Sequence, residues 1–155
     1  MPVALLNRQR RLRLDVRRLR ALMERAIEAA GVAYREVGVV LLSDAAIHRM
    51  NRFWRGVDRP TDCISFPAAE GDDGDLAGPI LGDIAISVDT ALRQGREHAP
   101  RGTPDGMALD AEVLFLFVHS LLHLMGHDHR RAAGARRMRG LEEAVLAAVV
   151  PVQRM

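Results

Sequence analysis

Lysine is missing from this chain: all 22 residues counted as Lys or Arg are arginine. Genomic base composition accounts for that as readily as function does. Cysteine is nearly missing too, with Cys63 standing alone. An intrachain disulfide and a cysteine-based zinc ribbon are therefore excluded, and any bound metal must rely on histidine and carboxylate. No continuous apolar run of membrane-spanning length occurs, since the most apolar stretch, Val113 to Val118, meets His119; a membrane partner is not expected. The N-terminus, Met1 to Arg20, is dense in arginine and has no apolar core ending in a small-residue cleavage site. It does not read as a secretory signal, and a cytoplasmic location is the expectation.

What is present is the size and composition of one globular unit: 155 residues, 48% of them hydrophobic, expected to fold as a single domain over 1–155. The formal net charge is only +2, but it is unevenly spread. Basic clusters lie at Arg8 to Arg20 and Arg130 to Arg139, and an acidic patch at Glu70 to Asp75. Such asymmetry permits a nucleic-acid partner without demanding one, because each basic cluster by itself also reads as a solvated helix face.

Apolar periodicity sets out the elements. A short strand is expected around Val3 to Leu6, and an amphipathic helix through Val16, Leu19, Met23, Ala26, Ile27 and Ala30. Val37 to Leu42 is β-branched and of strand length, and Ser43 is a plausible N-cap for a helix through Asn51. Gly56, Asp58 and Pro60 mark a loop from Arg55 to Pro60, followed by strands at Cys63 to Phe66 and Ile80 to Val88. Between these two strands, Glu70 to Pro79 reads as an exposed loop. A helix from Asp89 should break at Pro100 to Pro104, and a long one should run from Asp105 to Met125 with apolar side chains on nearly every face. The last helix is expected from Arg131 to Val149, closed by Pro151. The fold class is therefore α+β: one domain with a small mixed, mostly parallel sheet of about four strands around a buried helix.

That buried helix ends in His119-Ser120-Leu121-Leu122-His123-Leu124-Met125-Gly126-His127-Asp128-His129. Histidines at i and i+4 lie on one helix face, with Cβ atoms ~6 Å apart, close enough to share an ion. Gly126 permits a turn from which His129 can return as a third ligand. Three neutral imidazoles with a fourth position open describe a catalytic zinc centre better than a structural one. His127 is an alternative third ligand, and Asp128 a candidate to orient a ligand's second ring nitrogen. The register of His119, His123, Gly126 and His129 also resembles the metzincin proteases. Those carry a glutamate base after the first histidine, where Ser120 stands here.

The same segment resembles the YbeY family of endoribonucleases, whose hallmark H-G-x-L-H-L-x-G-Y-D-H is matched at His119, Leu122, His123, Leu124, Gly126, Asp128 and His129. It departs at Ser120 and His127. The segment from Asn51 to Pro67, with Arg55-Gly56 and Pro60-Thr61-Asp62, is similar to a second family motif, and Leu81-Gly82-Asp83-Ile84-Ala85-Ile86-Ser87 to a third. The family is often acidic after its last histidine, whereas Arg130, Arg131, Arg136, Arg137 and Arg139 follow here.

The resemblance implies a metal-dependent, single-strand-specific endoribonuclease acting in small-subunit rRNA 3′-end maturation and ribosome quality control. Its substrate would be single-stranded RNA, in particular precursor small-subunit rRNA, on ribosomal particles and not DNA. It implies one Zn²⁺ per chain on His119, His123 and His129, although imidazoles also suit other transition metals. Arg55 and His119 become the catalytic candidates, Arg55 contacting the substrate phosphate through its planar fork of donors. Without the resemblance, Arg55 would read as a surface ion pair with Asp58 or Asp62. The attacking group is either metal-activated water or the RNA's own 2′-hydroxyl. Two other readings are kept: a metzincin-like zinc peptidase, and a non-catalytic ribosome-assembly factor in which His127 or Asp128 closes a four-ligand zinc staple.

Overall fold

Burial alternates along the first two strands, so each presents mainly one side to a core. In a computed structural model of the chain, described over residues 2–33, 35–68, 79–127 and 131–153, the order is β1 (Val3–Asn7), α1 (Val16–Ala29), β2 (Glu36–Leu42), α2 (Asp44–Arg55), β3 (Cys63–Pro67), β4 (Ile80–Ser87), α3 (Val88–His98), α4 (Asp105–Leu124) and α5 (Ala132–Gln153). The four strands form one mixed sheet in the order β1-β2-β4-β3. The first three in that order run parallel and β3 is antiparallel on β4. The result is the single α+β domain the interleaved pattern predicted.

Val3, Leu5, Val37, Val39, Leu41, Ile84 and Ile86 face the main core, where they meet α1 through Leu19, Met23 and Ile27 and α4 through Val113, Phe117 and Leu121. The opposite sheet face is covered in part by α2, through a smaller cluster of Leu42, Ile47, Ile64 and Ala85. β2 is therefore fully buried on one side only, with Gly38 and Val40 half-exposed on the other. Helix α4 is long and apolar enough to cross a membrane by length and composition, but most of it is packed inside the domain. α5 lays Met138, Val145 and Val149 into the core and turns Arg136, Arg137 and Arg139 to solvent, the solvated basic face that its composition suggested.

Several boundaries differ from those expected. α2 runs a turn beyond Asn51 and includes Arg55, because nothing breaks the helix until Gly56 takes the left-handed conformation at φ 69°. α3 begins at Val88, since the Ser87 hydroxyl accepts from Thr90 N and so caps the helix one residue earlier. α5 continues to Gln153, past Pro151, which removes only one backbone donor near the helix end. Of the Glu70 to Pro79 loop, all but Pro79 lies outside the described residues; Pro79 O accepts from Glu36 N at 2.7 Å.

β4 runs unbroken through Gly82 and Asp83. Leu81 is inserted against β2, since Glu36 pairs with Ile80 and Val37 with Gly82. Gly82 has φ 153°, and a Cβ there would lie 2.5 Å from Phe66 O and 2.8 Å from Leu124 Cδ2. The missing side chain lets the end of α4 settle onto the β3–β4 pair.

A second junction ties α2 to β4 and α3. Asp44 Oδ1 accepts from the hydroxyls of Ser87 at 2.6 Å and Thr90 at 2.7 Å, while Oδ2 accepts from Arg93 at 2.9 Å. Asp44 N in turn donates to Asp89 Oδ2 at 2.8 Å. Burial pushes the Asp44 carboxyl up, but these hydrogen bonds and the Arg93 charge outweigh it and hold the group below 3.8.

Gly82→Ala should lower the stability by about 2–3 kcal/mol through overpacking and backbone strain, read as a shifted urea midpoint at constant slope. An unmoved midpoint would mean that the strand yields freely. Asp44→Asn should cost about 1–2 kcal/mol at neutral pH. Since the folded carboxyl holds its proton less tightly than the unfolded one, that wild-type advantage is complete above 3.8 and disappears as pH falls through the lower folded value. Equal losses at neutral pH and at about pH 2 would contradict the assignment.

Candidate metal and nucleic-acid site

α4 is enclosed on almost every side, with Val113, Phe117, Val118, Ser120 and Leu121 at or near zero exposure. One stripe escapes full burial, and His119 and His123 lie on it. Their Nε2 atoms stand 3.2 Å apart, with the rings at 75°. Two nitrogens bound at ~2.0–2.1 Å to one tetrahedral ion are themselves about 3.3 Å apart, so the pair has the span of two ligands on a shared ion.

The other ring nitrogen of His119 is also held: Nδ1 lies 2.7 Å from Glu142 Oε1, on α5. Glu142 is buried, at 8% exposure. A carboxylate there fixes a ring with Nδ1–H donated and the Nε2 lone pair aimed at the partner histidine, the tautomer that a metal ligand requires. Phe115 stacks on the His119 ring at 6.2 Å and 26° and limits its rotation further. Glu142 was not a candidate from sequence. It lies just beyond the basic segment of α5, and no spacing rule links it to His119.

The end of α4 closes where Gly126 was expected to turn the chain. Gly126 N donates to His123 O and His127 N to Leu122 O, both at 3.0 Å, with Gly126 at φ 99°. His127 then lines a separate cavity of about 300 Å³ with Arg131 and Arg137, not the one the histidine pair faces. Its candidacy as a replacement ligand is not realised in this arrangement. His129, the expected third ligand, and Asp128 lie outside the described residues. Among the described residues, no group of three His, Cys, Asp or Glu side chains converges to hold an ion.

The histidine pair opens into a cleft of about 540 Å³ whose walls also include Arg55, Asp62, Cys63 and Ser65. Arg55 was placed in a loop by its sequence. It is instead the last residue of α2, exposed at the cleft. The ion pairs considered for it do not form: Asp58 meets His48 at 2.8 Å, while Asp62 accepts from Cys63 N at 2.7 Å and Gln94 Nε2 at 3.3 Å. Burial pushes the Cys63 thiol up to about 12, and the Asp62 carboxylate beside it adds to the shift. Cys63 is thus a neutral thiol at physiological pH and no nucleophile. Ser120, which follows the first histidine, is a fully buried part of the cleft wall and supplies no carboxylate base there.

Comparison with known proteins adds a separate line of evidence. The family profile described as Endoribonuclease YbeY matches residues 4–150. A Geobacter sulfurreducens protein named Endoribonuclease YbeY is 43% identical over 149 residues, covering 95% of each chain. One of the same name from Moorella thermoacetica is 46% identical over 138 residues, covering 84% of each. The solution structure of TM1509 from Thermotoga maritima superposes with a TM-score of 0.67 at 25% identity, covering 98% of this chain and 91% of that one. The histidine pair, the motif containing Arg55 and the β4 motif all fall inside the matched region, and this chain belongs to the YbeY family.

Proposed function

We propose that the chain is a metal-dependent endoribonuclease that cuts single-stranded RNA and acts in the cytoplasm on precursor small-subunit rRNA in ribosomal particles, in 3′-end maturation and quality control. The observation that carries this reading is the paired Nε2 atoms of His119 and His123, 3.2 Å apart, oriented by Glu142 and facing a cleft edged by Arg55. The relatives' name supplies the class of substrate.

In this reading His119, His123 and His129 hold the ion, zinc being the first choice for imidazole donors with other transition metals admissible. When bound, such an ion supplies Lewis acidity to a phosphoryl oxygen or its surroundings. The remaining work is done by the chain. Glu142 holds the His119 proton on Nδ1 and keeps Nε2 as a donor of electrons. Arg55, unengaged by Asp58 and Asp62, offers a planar fork to the scissile phosphate as negative charge develops. Asp62 is occupied by Gln94 and the Cys63 amide, which keeps that carboxylate from competing for Arg55.

His123→Ala should drop the bound metal from one ion per chain to none and abolish cleavage of single-stranded RNA. Arg55→Ala should keep the metal and lose about 10²–10³ in kcat. Elemental analysis beside a gel cleavage assay reads both, with casein as the control for the peptidase alternative. Full cleavage by Arg55→Ala would remove its role, and metal bound without any RNA cleavage would favour the assembly-factor reading. Glu142→Gln should weaken metal binding by about 10–100-fold in competition with a chelator. Unaltered affinity would show that the 2.7 Å contact does not tune the site.

A further inference from the structure

A third cavity, of about 640 Å³, lies between the end of α3 and the first half of α4, walled by His98, Pro100, Met107, Ala108, Glu112 and Phe115 among others. Its position relative to the metal-ligand candidates is set by one helix. Glu112 and His119 are seven residues apart on the same side of α4, so about 10 Å along the axis. Phe115 is the partition: it lines this cavity and stacks on the His119 ring, which lines the cleft.

The cavity contains a buried charge. Glu112 is 5% exposed, its Oε1 stands 3.0 Å from His98 Nδ1, and its Oε2 is shut off from solvent without a hydrogen-bond partner. A carboxylate in that state demands a cation, and His98 is its one ion-pair partner among the described residues. The hydrogen bond and charge of Glu112, with a smaller contribution from Glu97, accordingly raise the His98 pKa above 6.5 against slight desolvation. The pair is set by a close approach of the two helices, since a Cβ on Gly95 would lie 2.5 Å from Ala108 O. The His98 side chain is nevertheless 62% exposed. With Nδ1 engaged, Nε2–H is the edge left for a ligand.

An outward-facing imidazole held by a carboxylate, beside apolar and aromatic walls, matches one nucleotide: a phosphate for its Nε2–H, and a base for Phe115, Met107 and Pro100. We propose that this cavity is a nucleotide subsite for the RNA strand, with a base held against Phe115 and Met107 and the adjoining phosphate on His98 Nε2. The proposal rests on the endoribonuclease reading for the identity of its ligand. It goes beyond that reading by assigning His98 and Glu112 to substrate binding, at a distance from the cleft that neighbouring nucleotides of an extended strand bridge. A purely structural pair, clamping α3 to α4, is the alternative it must beat.

The test uses metal-loaded wild type and His98→Gln, whose amide can still donate to Glu112 but cannot carry charge. Binding of a fluorescent 2′-O-methylated single-stranded oligoribonucleotide, shown on a gel to stay uncut over the time of the measurement, is followed by anisotropy. Alongside it, KM and kcat are measured on the cleavable parent and on versions with single neutral methylphosphonates near the cut. His98→Gln should weaken binding and raise KM by about 3–10-fold with a much smaller change in kcat, the scale of one charge-assisted hydrogen bond at a partly exposed site. One methylphosphonate position should impose a similar penalty on wild type and none on the variant. Wild-type affinity in His98→Gln would overturn the subsite, whatever the variant does to thermal stability. Equal sensitivity of both proteins to every methylphosphonate would also overturn it. Wild type that cleaves no RNA, yet binds the oligonucleotide in a His98-dependent way, would sink the nuclease reading and leave the subsite standing.

Discussion

The arrangement depends on the burial of α4. A helix that is apolar on nearly every face must be surrounded, and here the sheet, α1, α3 and α5 surround it. Once those faces are committed, the residual stripe has one possible orientation, and Phe115, His119 and His123 lie along it. Rotation of the helix to aim the histidines elsewhere would expose Phe117 and Leu121, each a loss of about 2–3 kcal/mol of side-chain burial. The functional direction of the site is therefore a consequence of hydrophobic packing, not of the polar groups themselves.

The polar contacts act on a finer scale. Glu142 reaches His119 from α5, Glu112 reaches His98 across the α3–α4 contact, and Asp62 is anchored by Gln94 of α3. Each is a carboxylate that fixes or frees another group, and two of the three are buried deeply enough that a missing partner would be costly. The Asp44 junction does similar work for α2, at whose far end Arg55 meets the cleft. The site is consequently assembled at the ends of elements whose middles are locked by packing.

The two cavities along α4 differ in character. The cleft beside the histidine pair is lined mainly by polar groups and holds the candidate chemistry. The cavity beside Glu112 is mostly apolar with one ion pair, the character of a place that grips a ligand without transforming it. Phe115 standing between them couples the pair physically, since its ring is wall to one and packing for the other. The basic face of α5 lies near the same helix end and makes its own cavity with His127, apart from the cleft that the histidine pair faces.

The sequence by itself determined the elements, the central helix and the His119–His123 pair, because those follow from local rules: apolar periodicity, a turn at Gly126, and the geometry of i and i+4. It also carried the family, through motifs whose order survives in one chain. Even so, local rules placed Arg55 in a loop and stopped α5 at Pro151, since a helix end is settled by competition among weak terms of a few tenths to about 1 kcal/mol. Only the tertiary structure decided that Glu142, which follows the basic half of α5, orients His119, that Arg55 escapes Asp58 and Asp62, and that Glu112 is buried against His98. These contacts join residues on different elements, and their partners are selected by how whole helices pack. That selection is a property of the assembled core, and no spacing along the chain encodes it.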